Sequence, residues 1–361
     1  MLCNACTLVQ QRYTVDPRYL YSNGYWYRSG VTATMRAALK DVVDEATKRV
    51  NLQSGDIVVD IGSNDGTLLK SYSVEGLQRI GYEPSSTFSQ EEYTGLELVP
   101  EYWGKGIWRD FIRDARKVKV VTALGMLYDL EDPNQFVADV KTALAPDGIF
   151  IAQLMCLGNM MRANDLGNLA HEHLEFYSLA SLARLFRKHG LEIYGLEENS
   201  VNGGSYRFYI RHETGIINDR WLEELIREKK LTYATAAYQR YFFQRMARNR
   251  IAVVDFIRRE KEAGKRIWVY GASTKGNVIL QWYGLDKSLI DGASERSSAK
   301  WGLVTAGTGI PICSEEEARE ANPDYFLVLP YAFLEEFKDR EREWRDRGGK
   351  FIVPLPELRI V

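Results

Sequence analysis

Continuous apolar stretches alternate with amphipathic segments from about residue 56 onward. The first stretch, DIVVDIG at 56–62, has no polar face, which is typical of a parallel strand covered on both sides. A helix is predicted around 133–144, followed by the turn Ala145-Pro146-Asp147-Gly148. Further strands are predicted at 78–82, 96–99, 118–124 and 149–154, with an antiparallel edge hairpin from 191–196 and 205–211. This alternation predicts a doubly wound α/β core with a mixed seven-stranded sheet.

The pattern changes on either side of this core. Residues 1–50 are mixed and end in a predicted amphipathic helix, whereas 219–264 are polar and helical throughout. A βα pattern restarts with RIWVYGAS at 266–273, which predicts a second, Rossmann-like α/β domain. The predicted divisions are an N-terminal segment (1–50), the core (51–215), a helical connector (216–265) and a C-terminal α/β domain (266–361).

Composition narrows the class of protein. The 361 residues carry a formal net charge of −2, with 45% hydrophobic and 27% charged residues, so we expect neither nucleic acid nor a membrane surface as a partner. The N-terminus lacks a basic segment followed by an apolar one, and no apolar run approaches the length of a membrane span. We therefore expect a cytoplasmic protein, with its cysteines present as reduced thiols. Those cysteines are Cys3, Cys6, Cys156 and Cys313.

The segment after the first core strand is the strongest local signal for a cofactor. Glycine lets the backbone approach a ligand closely at the carboxyl end of a strand. The loop lacks the middle glycine of a dinucleotide fingerprint and the Gly-Lys-Ser/Thr of a P-loop, so a cofactor without a pyrophosphate fits better. A generic βα turn is the alternative. The predicted cofactor residues in this segment are Asp60, Gly62, Asn64, Asp65 and Gly66.

A second signal comes from Glu83, which ends the next predicted strand. A carboxylate in that position accepts hydrogen bonds from both ribose hydroxyls of a nucleoside. Together with the glycine loop, Glu83 predicts an S-adenosylmethionine site of the class I methyltransferase type. Met126, at the end of the fourth predicted strand, is a further candidate for cofactor contact or an ordinary core residue.

Two of the four histidines lie in His171-Glu172-His173, after the fifth predicted strand. Histidine is suited to move protons near neutral pH, and an adjacent carboxylate fixes its tautomer and raises its basicity. Metal binding and a structural histidine pair are the alternatives. No His-Glu-x-x-His spacing exists, and no further histidine is near in sequence.

The chain resembles the bacterial C-methyltransferases that act on nucleotide-linked keto-deoxysugars. The resemblance covers nearly the whole chain, and the order and combination of its motifs are specific. The motifs are CNACTLVQ (3–10), YRSG (27–30), VVDIGSNDGTLL (58–69), HEHLEFYS (171–178), VNGGSYRFYI (201–210), GASTKGN (271–277) and GTGIPI (307–312).

The resemblance implies a small zinc module, a methyltransferase core and a C-terminal α/β domain, with the sugar nucleotide as a small-molecule substrate. It implies that Glu172 and His173 are the catalytic pair and that Tyr27, or Tyr25, reaches the sugar. His171, next to the pair, is a further candidate for sugar contact. By the same resemblance, Asn202, Gly203 and Gly204 lie near the sugar, and Lys275 and Asn277 hold the nucleotide or its phosphates.

Two departures from the family pattern matter. Its zinc module uses two Cys-x-x-Cys pairs, whereas this chain has only Cys3 and Cys6, and two thiolates do not complete a tetrahedral site. We therefore expect a remnant of that module and no bound zinc. The family often has a tyrosine two residues before the catalytic glutamate, where this chain has Ala170.

These features favour transfer of a methyl group from S-adenosylmethionine to a sugar carbon, with His173 as general base. An O-methyltransferase using the same base is the alternative, because Ala170 removes one phenol from the site. A nucleotide-binding scaffold without activity is a rival of another class, suggested only by Asn64 in the loop. An NAD-dependent oxidoreductase is disfavoured, since the 271–276 loop departs from the dinucleotide fingerprint. The sequence does not determine the sugar, the nucleobase of the substrate or the oligomeric state.

Overall fold

A computed structural model describes residues 1–21, 25, 27–104, 117–199, 201, 204–215 and 219–361. The described chain forms two compact units. The first unit contains residues 1–157 and 171–234, and the second contains 158–170 and 235–361. The short segment 158–170 therefore packs with the later part of the chain, although the predicted divisions placed it in the core.

The first unit is built on a seven-stranded sheet and a separate two-stranded pair. Its strands are β1 (Val9–Gln10), β2 (Ile57–Ile61), β3 (Gln78–Tyr82), β4 (Glu97–Val99), β5 (Val118–Leu124), β6 (Leu144–Leu154), β7 (Glu175–Phe176), β8 (Leu191–Asn199) and β9 (Ser205–His212). The strand order of the large sheet is β4-β3-β2-β5-β6-β9-β8. Strand β9 runs antiparallel to both of its neighbours, β6 and β8, which confirms the mixed seven-stranded sheet and the edge hairpin.

Helices flank the sheet, and side chains cap the first turns of several of them. The helices up to residue 231 are α1 (Pro17–Leu20), α2 (Ala33–Arg49), α3 (Thr67–Lys70), α4 (Pro133–Ala143), α5 (Leu157–Ala163), α6 (Leu179–Lys188) and α7 (Asp219–Leu231). Asp132 begins α4 by accepting a hydrogen bond from the Gln135 amide at 2.9 Å, with Pro133 in the first turn. Ser178 and Ser181 form a reciprocal capping box at α6.

The sheet is buried on both faces, as its apolar strands predict. On β2 and β5, Val59 and Val121 pack on one face, whereas Val58 and Val120 pack on the other. The arrangement leaves the carboxyl ends of β2, β3 and β5 side by side at one edge, where α/β sheets bind ligands.

Strand β6 differs from the prediction, because it begins at Leu144 rather than at residue 149. Its pairing with β5 passes from Val118↔Leu144 to Val120↔Ile149. The predicted turn 145–148 is therefore a bulge within one strand rather than a boundary between a helix and a strand.

The pair β1–β7 was not predicted, because two-residue strands leave no hydrophobic pattern. Val9 is paired with Phe176 and Gln10 with Glu175 in antiparallel register. The Gln11 amide donates to the Leu174 carbonyl at 2.8 Å, and its side-chain amide donates to the His173 carbonyl at 2.9 Å. The N-terminal segment therefore supports the backbone of the His-Glu-His segment.

The second unit contains a six-stranded sheet in the order β12-β11-β10-β13-β14-β15. Its strands are β10 (Ile267–Tyr270), β11 (Gly292–Glu295), β12 (Ile312–Ser314), β13 (Tyr325–Val328), β14 (Lys350–Val353) and β15 (Arg359–Ile360). Its helices after residue 235 are α8 (Ala236–Glu262), α9 (Thr274–Tyr283), α10 (Glu315–Glu320), α11 (Leu334–Arg340) and α12 (Arg342–Asp346). All pairs are parallel except β14–β15, so this unit is the predicted Rossmann-like α/β domain.

The predicted helical connector contains two helices with different roles. Trp221 of α7 is buried in the core of the first unit, whereas α8 belongs to the second unit. Within the described residues, no helix has the length and hydropathy to span a membrane.

Candidate active site

The loop between β2 and α3 takes backbone conformations that suit its glycines. Gly62 and Gly66 have φ angles of 71° and 72°, in the left-handed region. The amides of Gly62 and Ser63 both donate to the Tyr82 carbonyl, at 2.8 and 3.1 Å. A Cβ atom on Gly62 would lie 3.4 Å from the Met126 Cγ, so a side chain there would fill the space between the two segments.

Glu83 joins this loop to the end of β3. One carboxylate oxygen accepts a hydrogen bond from the Asn64 amide, and the other accepts one from the Ser85 amide, both at 2.9 Å. Burial raises the pKa of Glu83, and the two amide hydrogen bonds oppose that rise. Each oxygen retains a lone pair for a further donor such as a ribose hydroxyl.

Asp60 lies below the loop, at the centre of the sheet. Its carboxyl accepts a hydrogen bond from the Thr122 hydroxyl at 2.6 Å, and only 4% of the residue is exposed. Burial raises its pKa to about 7, while the Thr122 hydrogen bond acts in the opposite direction.

The N-terminal segment is held on the loop by the side chains of Asn64 and Asp65. The Asn64 amide group donates to the Tyr27 carbonyl at 2.9 Å and accepts from the Ser29 amide at 2.8 Å. Asp65 accepts a hydrogen bond from the Gly30 amide at 2.8 Å. Asparagine replaces the middle glycine of the dinucleotide fingerprint because its side chain fixes this second segment, and it tolerates its φ of 53°.

Replacing Asn64 tests this explanation. We expect Asn64→Ala to lower the free energy of unfolding by about 2–3 kcal/mol, because it removes two hydrogen bonds and places a Cβ-bearing residue without local polar groups in the left-handed region. Asn64→Gly should cost less, since glycine accepts that conformation. Urea denaturation of both variants measures the difference, and Asn322→Ala, at a φ of 45°, serves as the control for backbone strain alone. Equal losses in the two Asn64 variants would contradict the strain component.

The His-Glu-His segment lies against the turn that follows β5. The rings of His173 and Tyr128 meet edge to face, with centroids 4.6 Å apart. The Leu174 amide donates to the Tyr128 carbonyl at 2.8 Å. His173 is buried, and its Nε2 lies 4.0 Å from a carboxylate oxygen of Glu172. The structure therefore places the two predicted catalytic residues beside the turn after β5 that carries Met126.

Further acids and phenols surround this pair, and of these only Tyr25 was predicted from the sequence. Burial and the charges of Glu172 and Glu175 raise the pKa of Asp129 well above its usual range. The pKa values of Tyr21 and Tyr25 are also raised, by burial first and then by the charges of Asp129 and Glu172. The position of Asp129, five residues after β5, was the only sequence signal for it.

The remaining predicted sugar contacts are placed differently. Tyr25 lies close enough to Glu172 and Asp129 for their charges to act on its hydroxyl, whereas Tyr27 is exposed and uses its carbonyl oxygen on the cofactor loop. His171 is exposed. Gly204 has a φ of 122° just before β9. Asn202 and Gly203 lie outside the described residues.

Lys275 and Asn277 belong to the second unit, at the beginning of α9. The Lys275 ammonium lies 3.5 Å from the buried Asp165 carboxylate, in segment 158–170. The Asn277 side-chain oxygen is shielded from solvent and has no hydrogen-bond partner among the described residues. These residues provide a cation and an unused acceptor at the start of a helix.

Glu295, at the end of β11, repeats the geometry of Glu83 within the second unit. Its carboxylate accepts hydrogen bonds from the Ala272 amide of the loop after β10 and from the Ser297 amide, both at 3.0 Å. The sequence analysis missed Glu295, although Glu-x-Ser-Ser occurs at both 83–86 and 295–298. Lys300 lies 3.4 Å from the same carboxylate.

The cysteine side chains are all thiols. Cys3 and Cys6 lie in a tight turn before β1, in which the Thr7 amide donates to the Cys3 carbonyl. In the part of the chain that the structure describes, no group of three or more histidine, cysteine, aspartate or glutamate side chains is arranged to hold a metal ion.

Two family models match successive parts of the chain. A methyltransferase domain matches residues 31–196, and a C-methyltransferase C-terminal domain matches 200–356. The C-methyltransferase NovU of Streptomyces niveus is 29% identical over 367 aligned positions, which cover 100% of this chain and 86% of that protein.

Solved structures of methyltransferases align with about half of the chain. The magnesium protoporphyrin IX methyltransferase of Synechocystis PCC 6803 with bound SAH is 13% identical, covers 52% of this chain and 91% of that one, and has a TM-score of 0.39. The mitomycin 7-O-methyltransferase MmcR is 20% identical, with coverage of 50% and 56% and a TM-score of 0.37.

The strand order, the glycine loop with Glu83 and the methyltransferase domain together define a class I methyltransferase that uses S-adenosylmethionine. The C-terminal family model and the relative that aligns over the whole chain are both described as C-methyltransferases, so the chain is similar to that family along its length. The site fits this cofactor, since Gly62 leaves room beside Met126 and Glu83 offers carboxylate oxygens to a ribose.

Proposed function

We propose that this protein methylates a carbon atom of a nucleotide-linked keto-deoxysugar, as a cytoplasmic step of deoxysugar biosynthesis. One observation carries the proposal: the turn after β5 contacts both the predicted cofactor loop and the predicted general base. Its Met126 side chain lies 3.4 Å from the point that a Cβ atom on Gly62 of the cofactor loop would occupy, and its Tyr128 ring packs on His173. A base beside a methyl-donor site is the arrangement that C-methylation requires.

In the proposed methyl transfer, each active-site residue has one role. S-adenosylmethionine supplies an electrophilic methyl group on its sulfonium. A keto group acidifies the neighbouring C–H, and His173 removes that proton through Nε2 or Nδ1 as general base. Glu172 stabilises the imidazolium that forms, because its carboxylate lies 4.0 Å from Nε2. A protonated phenol, either Tyr25 or the predicted Tyr27, stabilises the enolate oxygen.

The second unit supplies the nucleotide-binding groups in this proposal. Glu295 would accept hydrogen bonds from ribose hydroxyls, by analogy with Glu83 in the first unit. Lys275 and the side-chain NH₂ group of Asn277 would donate hydrogen bonds to phosphate oxygens at the start of α9, where backbone amides favour an anion. The proposed substrate therefore has a nucleoside, phosphates and a keto sugar.

O-methylation of a sugar hydroxyl by the same base is the second candidate. It is favoured by Ala170, which is buried and provides no phenol where the resembling family often has one. Both candidates use the same fold and cofactor, so only the position of the new methyl group separates them.

The test uses S-adenosylmethionine with a ¹³C-labelled methyl group and a panel of nucleotide-linked 4-keto-6-deoxyhexoses. We expect NMR of the product to show the label bonded to a ring carbon. A label on oxygen would show that a hydroxyl group, and not a carbon atom, accepts the methyl group. Binding of the cofactor without labelling of any sugar would contradict the substrate class.

A further inference from the structure

Three carboxyl groups gather beside His173, although the proposed chemistry uses only one. Asp129 ends the turn after β5, and its neighbour Tyr128 packs on His173. Glu172 precedes His173 in the chain, and Glu175 follows two residues later on β7. The acids therefore come from two segments that the Leu174–Tyr128 hydrogen bond joins.

Asp129 and Glu175 are poorly placed to be charged. One carboxylate oxygen of each is shielded from solvent and has no hydrogen-bond partner among the described residues. Burial raises the pKa of Glu175 to about 8, and burial together with Glu172 and Glu175 raises that of Asp129 well above its usual range. Among the described residues, the groups that shift these two pKa values include no cation.

Phenols also face the two acids in the part of the chain that the structure describes. Tyr21, Tyr25 and Tyr128 surround Asp129, and Tyr177 lies near Glu175. Burial keeps these phenols protonated at neutral pH, since it raises the pKa of each. They therefore add no charge to the cluster.

Glu172 differs from the other two acids, because 22% of its side chain is exposed. Three carboxylates in one shielded cluster repel each other, so they do not all ionise near neutral pH. The first charge goes to the group that keeps contact with water, because desolvation penalises the charged form of the buried ones.

We propose that Asp129 and Glu175 are positioning residues that remain protonated, so that Glu172 alone carries the negative charge facing His173. One charge stabilises the imidazolium that forms during proton removal. Two or three charges would raise the basicity of His173 until it stayed protonated and no longer accepted the substrate proton. This inference rests on the proposed roles of Glu172 and His173.

The test measures the pKa of His173 in the full-length protein, without any sugar. The chain has four histidines, so ¹³C-labelled imidazole signals are few, and His173→Gln assigns the relevant one. We expect Glu172→Gln to lower the pKa of His173 by about one unit or more, because it removes the carboxylate that lies 4.0 Å from Nε2. Asp129→Asn combined with Glu175→Gln should change it by less than about 0.3 unit, since both replacements substitute neutral groups for neutral groups.

A second readout follows the same signal at alkaline pH. In the wild type, ionisation of Asp129 and Glu175 should add an inflection to the His173 titration above the range of ordinary carboxyl groups. The double variant should lack that inflection, whereas Glu131→Gln, an exposed acid two residues from Asp129, should keep it. If the double variant does not fold, the two single variants give the same comparison, each with a reduced inflection.

Two results would overturn the inference. One is a fall of the His173 pKa in the double variant as large as that in Glu172→Gln, which would mean that the buried acids are charged. The other is an alkaline inflection that persists without them. Neither depends on methyl transfer, so a failure of the sugar proposal would appear separately as an unlabelled product.

Discussion

Replacing His173 by glutamine is expected to lower kcat for methyl transfer by about 10²–10⁴, the range that a general base contributes. Glutamine keeps a hydrogen-bonding side chain of similar reach, yet it does not accept a proton at neutral pH. His173 is buried against Tyr128, away from the direct contacts of Glu83, so binding of S-adenosylmethionine should change by less than about twofold. A radiolabelled methyl-transfer assay measures the first effect, and isothermal titration calorimetry measures the second.

The matched control for this variant is His189→Gln. His189 ends α6, and its Nε2 lies 3.2 Å from the Asn134 side-chain oxygen rather than in the acid cluster. The control should retain wild-type kcat. Full activity of His173→Gln would show that His173 takes no part in the chemistry. A parallel loss of cofactor binding would show that its role is structural.

The second large effect is expected at Glu83. We expect Glu83→Gln to weaken binding of S-adenosylmethionine by about 10–100-fold, which corresponds to about 1.4–2.7 kcal/mol. The carboxylate accepts hydrogen bonds from both the Asn64 and Ser85 amides, whereas the NH₂ group of glutamine would face one of these donors. Hydrogen bonds to a charged group contribute about 1.5–3 kcal/mol each, so weakening the one that a ribose hydroxyl would donate to this carboxylate fits the expected change in affinity.

Calorimetric titration of the cofactor measures this change, and the shift of the thermal unfolding midpoint with cofactor concentration provides an independent estimate. Glu101→Gln is the control, since Glu101 is an exposed acid shortly after β4. Unchanged affinity in Glu83→Gln would contradict a hydrogen bond between the Glu83 carboxylate and the ribose. An equal loss in Glu101→Gln would point to net charge rather than to a specific contact.

The site was predictable where its signals are short segments of sequence. The loop at 60–66 follows an apolar strand, and Glu83 follows the next one, so their meeting at one sheet edge follows from parallel pairing. His173 and Glu172 are adjacent in the chain. By contrast, Asp129 and Glu175 look like ordinary polar positions in the sequence, because only folding removes them from water.

The sequence alone determined the two α/β units and most of their strands, because buried parallel strands are uniformly apolar and a short window of residues reveals them. Tertiary structure decided the features that depend on distant partners. It paired β1 with β7 across more than 160 residues, made the predicted turn at 145–148 a bulge, and placed segment 158–170 with the second unit. It also brought the Asn64 side chain into hydrogen bonds with the backbone of Tyr27 and Ser29. The physical reason is the same in each case: hydrophobic periodicity reports which face of an element is buried, whereas hydrogen-bond partners and the protonation of buried acids depend on which groups packing brings together.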